Sequence, residues 1–264
     1  MKPLIGFLLK PGTNRPLTPA LSPDGGEGRG SWRGGSQWSR WAMVLLFAAA
    51  MAWVEAAAVL YIRTVVGRID PYQRPPLPVA QNLGLVEVVR EVATLVMLLT
   101  AGWLAGRTWR SRLAYALVAF GVWDILYYVF LSLVCGWPRS LLDWDVLFLI
   151  PLPWWGPVIA PMLIAALMIA GGTLVSQFDL PEAPLWPNRL TVGLNVGGVC
   201  LALCVFMSDA LGVVGDGEEA LRDLLPDRFN WPLFLVALAL MAAPVVDLAR
   251  QVRRRIQKLP VKSA

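Results

Sequence analysis

Six apolar runs, each about as long as a bilayer core is thick, leave this chain little freedom in how it folds. They cover about Trp41–Ile62, Leu85–Ala105, Leu113–Val134, Val158–Phe178, Leu190–Leu211 and Trp231–Leu248. A hydrocarbon core takes roughly 20 residues of helix to cross, and inside it each backbone N–H and C=O must find its partner within the protein. The pattern therefore predicts an all-α, polytopic membrane protein, a bundle of six transmembrane helices. Composition points the same way. The chain is 57% hydrophobic and 16% charged, against about 45–50% and 25% for soluble domains.

The stretch Leu141–Pro161 does not fit a span. Prolines at 151, 153, 157 and 161 each remove a backbone N–H and clash with the preceding turn, so no straight helix passes through. Rich in proline and tryptophan, it reads as an interfacial or re-entrant piece before the fourth span, sheltered by protein or lining water. Three parts follow: an arm over 1–40, a transmembrane domain over 41–250 and a basic cytoplasmic tail over 251–264. The arm is dominated by Pro, Gly, Ser and Arg, a composition that cannot bury enough apolar surface to offset ordering, so it is expected to be disordered. Residues 15–30 also resemble a bacterial intergenic repeat read in frame, which would start the functional protein near Met43.

Lysine and arginine placement sets the orientation. With six spans and the amino terminus inside, sixteen of the 23 basic residues lie inside: six in residues 1–40, then Arg107, Arg110, Arg112, Arg189 and the six from Arg250 to Lys262. Six lie outside, and Arg90 is within a span. Cytoplasmic loops carry the excess of basic residues, so both termini are expected in the cytoplasm, across a bacterial inner membrane. Basic residues gathered at chain ends and short loops are topology signals, and no nucleic-acid partner is expected. Tryptophans near span ends, such as Trp41, Trp109 and Trp231, suit an aromatic belt.

Charge inside the spans is the functional signal. Charged side chains at a helix centre cost about 2.5–3.5 kcal/mol each on insertion scales, so they face protein or water and mark function by default. Glu87, Arg90, Glu91 and Thr94 recur at i, i+3, i+4 and i+7, one face of the second span. Glu55 in the first span and Asp124 in the third are the partners expected to answer that face. Tyr127 and Tyr128 continue from Asp124, and Asp143, Asp145, Trp154 and Trp155 join them at the outer face. One arginine among four carboxylates leaves an acidic excess that must take up protons or bind a cation. Glu87–Glu91 also reads as an interfacial ladder at a helix start, where negative charge suits the dipole. Glu55 and Asp124 equally read as an interhelical hydrogen bond.

The chain has no histidine. That excludes His-ligated haem and Ser-His-Asp or Cys-His catalysis. Cys135, Cys200 and Cys204 read as small packing residues, and no metal or cofactor is expected. The leading expectation is a small transporter or a proton- or cation-coupled membrane protein, using Glu55, Glu87, Glu91 and Asp124 with Arg90 setting their charge. One alternative is a membrane enzyme on a lipid or lipid-linked substrate at the outer leaflet, where paired carboxylates would do acid–base work. Another is a scaffold or assembly subunit of a membrane complex. Partners are therefore the lipid bilayer, a cation, proton or lipid ligand, and a second copy or a complex subunit.

Overall fold

The computed structural model describes residues 33–67, 69–73, 81–180, 182–217, 220–221 and 224–257. Six long helices form the bundle: α1 (Arg33–Val66), α2 (Gln81–Ala105), α3 (Trp109–Cys135), α4 (Ile159–Phe178), α5 (Arg189–Phe206) and α7 (Trp231–Gln257). All six hold segments long and apolar enough to cross a membrane, and the fold is compatible with an integral membrane protein. Their outward faces expose large apolar side chains such as Leu46, Val54, Leu99 and Leu104, a surface that water would penalise. The short helix α6 (Ser208–Val213) follows α5.

Three boundaries differ most from the sequence expectation. Helix α1 reaches back to Arg33, eight residues before Trp41, and α7 runs on through the arginines to Gln257. The remainder of the expected arm and tail, 1–32 and 258–264, lies outside the described residues. The fifth apolar run is not one helix to Leu211. It stops at Phe206 and restarts as α6, with Met207 at φ −98° and ψ 3° and the Ser208 hydroxyl donating to the Val205 carbonyl at 2.9 Å.

The Pro/Trp-rich stretch holds a β-hairpin. Strand β1 (Trp144–Phe148) pairs antiparallel with β2 (Trp154–Pro157), in the register Trp144 to Pro157, Asp145 to Gly156 and Val146 to Trp155. The register slips between Val146 and Phe148. Val158 and Ile159 tie the hairpin's exit back to the carbonyls of Asp143 and Leu141 at 3.0 and 2.8 Å, and α4 begins there.

Small residues set the helix spacing. Ala48, Ala52 and Ala56, one turn apart along α1, are each at most 1% exposed. With Val44 and Met51, the first two pack against Tyr115, Val118, Ala119 and Trp123 of α3, and Ala56 packs with Tyr128 and Leu131 further along it. A Cβ on Gly102 would sit 2.5 Å from the Ala116 nitrogen, so glycine there lets α2 approach the α3 backbone. Gly121 likewise faces the Ala165 carbonyl, where a Cβ would stand 2.6 Å away, bringing α3 onto α4.

Side-chain bonds fix which ends lie together. Arg40 donates to the Ala105 carbonyl and Trp41 to the Thr173 hydroxyl; Arg255 donates to the Phe178 carbonyl. The start of α1 and the ends of α2, α4 and α7 therefore share one end, here the basic end. The hairpin marks the other, where Arg63 reaches Asp145 and Tyr72 donates to the Pro226 carbonyl.

Candidate functional site

Helix α2 turns its polar stripe inward. Glu87, Arg90 and Glu91 are half-buried and Thr94 is 2% exposed, whereas the outward Val89, Val92 and Val96 are exposed. The stripe meets α1 at Glu55, which is 5% exposed. The Arg90 guanidinium bridges two acids: Nη1 pairs with Glu55 Oε2, while Nε and Nη2 donate to Glu87 Oε2 at 3.0 and 2.8 Å. Thr94 completes the set by donating to the second Glu55 oxygen at 2.5 Å. Glu55 is thus fully engaged by α2. Glu87 is not, since its Oε1 is buried without a partner among the described residues.

Glu91 turns to the hairpin. Both of its carboxylate oxygens accept from the Leu149 backbone N–H, at 3.1 and 3.2 Å. The N–H lies just beyond β1, so an acid on α2 fastens the hairpin to the bundle.

A second polar set forms under β1. Asp145, 3% exposed, accepts from Arg63 at 3.3 Å and from the Tyr128 hydroxyl at 3.2 Å. Arg63 also lies over the Trp137 ring, 4.1 Å from its centroid. Burial pushes the Asp145 carboxyl up to about 6, against the downward pull of Arg63 and the Tyr128 hydroxyl.

Between these sets lies a cavity of about 60 Å³. Arg90, Glu91 and Thr94 line it from α2, Trp123, Asp124, Tyr127 and Tyr128 from α3, and Asp145 to Phe148 from β1. Asp124 is the exceptional member. It is 7% exposed, its Oδ2 is fully buried, and neither oxygen has a hydrogen-bond partner among the described residues. A buried polar group without a partner normally costs free energy. The indole N–H of Trp123, the residue before it, also has no partner among the described residues.

The structure therefore brings Glu55, Glu87 and Arg90 into direct contact, and places Glu91, Asp124, Tyr127, Tyr128 and Asp145 around one space. Asp124 does not answer the α2 face as a hydrogen-bond partner. Three other candidates lie elsewhere. Asp143 accepts from the Arg139 and Ser140 amides at 2.7 and 3.2 Å and shapes the turn before β1. Trp154 stacks on Phe206, and Trp155 packs edge-on against Tyr72. Arg63 was missed, because a charge at the end of a span reads as a topology signal and its partner Asp145 is 82 residues away. Among the described residues, no three Asp, Glu or Cys side chains are grouped to hold a metal ion.

No protein-family model, curated protein or solved structure matches the chain. Its functional reading rests on the geometry above.

Proposed function

We propose that the chain is a small integral membrane transporter, coupled to a proton or small cation that binds at Asp124. One observation carries this reading: a buried carboxyl, with no hydrogen-bond partner among the described residues, beside a polar cavity. An anion in that position is costly unless a charge or donor meets it. Arg90 does not serve, because it makes no hydrogen bond or ion pair with Asp124 and turns to Glu55 and Glu87. Asp124 is therefore held with a proton or with a bound cation. The space is large enough for a few waters or a dehydrated ion.

The excess of lysine and arginine at the basic end supports a cytoplasmic side for that end, taken across a bacterial inner membrane. The cavity then lies in the outer half of the inner membrane, under a hairpin that separates it from the outer surface. Glu91 and Asp145 hold the hairpin in place.

Charge movement tests this without knowledge of the transported solute. Proteoliposomes adsorbed on a solid-supported membrane are exposed to a pH jump, and separately to Na⁺ and K⁺ jumps at constant pH. A transient current is expected in wild type for the coupling ion, and its loss in Asp124→Asn. If wild type gives no current in any jump, or the variant gives the wild-type current, the proposal fails.

A further inference from the structure

A second and larger cavity, about 370 Å³, lies toward the basic end between α3, α4, α5 and α7. Its origin is a packing mismatch. Gly172 brings α4 onto α3, where a Cβ would stand 2.5 Å from the Ala114 carbonyl, and Gly198 brings α5 onto α7, where one would stand 2.7 Å from the Ala237 carbonyl. Helices α4 and α5 each pack on α7 rather than on one another. Two tight pairs thus leave a slot between them, and Pro244 of α7 faces it.

The slot is elongated and apolar. Along α4 it is lined from Ile164 to Val175, about 16 Å of helix at 1.5 Å per residue. Leucine, valine and methionine form most of the wall, and Asn195, the one amide there, donates to the Met241 carbonyl at 3.3 Å. At about 30 Å³ for a water-sized group, the volume corresponds to roughly a dozen such groups in a row. A thin apolar chain fits this space.

The mouth has a different character. Arg110 and Trp186 line it, and Trp186 lies against Trp109 with ring centroids 4.5 Å apart. Arg110 meets Asp179 through Nε alone, at 3.1 and 3.2 Å, and its two terminal nitrogens have no acceptor among the described residues. Arg189 is exposed and unbonded among the described residues, one turn before Val192, which lines the slot. Two carboxylates at this end are already engaged: Asp179 also accepts the Leu185 N–H, and Asp247 accepts from Asn188 and Gln251. Open guanidinium N–H groups of Arg110 and Arg189 are left at this end, with the exposed Glu182 in the same α4–α5 loop.

We infer that this slot binds one acyl chain of an anionic phospholipid from the leaflet at the basic end, with the headgroup phosphate on Arg110 and Arg189. A guanidinium fork matches phosphate geometry, and tryptophan suits the headgroup level. This site needs only that the chain is membrane-embedded and is independent of Asp124.

Retained lipid reads the site directly. The full chain is reconstituted with equal phosphatidylglycerol and phosphatidylcholine, extracted in mild detergent, washed and weighed by native mass spectrometry. Wild type is expected to keep a single phosphatidylglycerol. Arg110→Gln and Arg189→Gln are each expected to lower the preference for it over phosphatidylcholine about fivefold, from roughly 1 kcal/mol per basic residue at an anionic surface. Val199→Trp or Val192→Trp should expel the lipid while the protein still elutes as one sharp peak. Arg189 makes no protein bond among the described residues, so its variant keeps the test open if the Arg110 variant fails to fold. Wild type that retains no lipid, retains both lipids equally, or retains phosphatidylglycerol undiminished in the tryptophan variants overturns the inference.

Discussion

At the scale of single residues, the ionic contact between Glu55 and Arg90 is the one most exposed to mutation. Removing one partner of a buried pair leaves an uncompensated charge and costs about 3–5 kcal/mol, whereas removing both costs far less. Arg90→Gln would strand the carboxylates of Glu55 and Glu87 together, so a marked drop in melting temperature in detergent is expected. Adding Glu55→Gln to it should restore part of the loss, because two amides can bond each other and Thr94 without charge. Equal melting of wild type and Arg90→Gln would show that these charges are solvated and unpaired. Of this group, Glu55, Glu87, Arg90 and Glu91 were legible from sequence, since an acid or arginine amid apolar neighbours is conspicuous. So was the meeting of Glu55 with the α2 face; the partners of Glu91 and Asp124 were not. Glu55 turns to Arg90 and Thr94 of that face, Glu91 to a backbone amide 58 residues away, and Asp124, expected to meet α2 as well, to no hydrogen-bond partner among the described residues. Depth within a span says that a side chain needs a partner without saying which element brings one.

At the scale of elements, α2 shows how a polar face and close packing work together. Its inward stripe from Glu87 to Thr94 continues into Leu98, 1% exposed, and then Gly102 against α3. Gly102→Ala would place a methyl among the Ala116 backbone atoms, at 2.5 to 2.7 Å. Forced overpacking of this kind typically costs about 1–3 kcal/mol, more than the roughly 1 kcal/mol that alanine gains over glycine in a helix. Gly193→Ala on α5 is the control, with nothing within 4 Å of the added carbon. The first variant is expected to melt below wild type and the second at or above it. If both move together, α2 is not held at this distance from α3. The face of α2 could be read from a period of 3.6, because its polar residues recur at i, i+3, i+4 and i+7. The hairpin could not. Its prolines excluded a helix, but five and four residues beside a register slip leave too short an alternation to identify strands. The break at Met207 also escaped notice, because nothing in an apolar run marks where a ladder stops.

At the scale of the whole molecule, an even number of long helices returns the chain to the end where it began. Arg40 near the start of α1 lies by the end of α2, and Arg255 near the end of α7 lies by the end of α4. A six-helix bundle was within reach of the sequence because length and hydropathy decide it. The direction in which the bundle crosses a membrane is a separate matter, governed by where basic residues are retained. The basic end holds Arg107, Arg110, Arg112, Arg189 and the run Arg253–Arg255, while the described part of the hairpin end holds Arg63, Arg139 and Arg228. Arg63 is bound to Asp145 and stacked on Trp137, so part of that smaller count serves the fold. The basic end is therefore expected to face the cytoplasm. A background with Cys135, Cys200 and Cys204 replaced by alanine allows a direct measurement with a membrane-impermeant maleimide on intact cells. Ser140→Cys beside the hairpin is exposed and should label from outside, whereas Gln257→Cys, exposed at the far end of α7, should label only after lysis. The reverse pattern would turn the bundle over. The Asp124 cavity would then lie in the cytoplasmic half, and Arg110 and Arg189 would face the outer leaflet, where the anionic-lipid site would need a different partner.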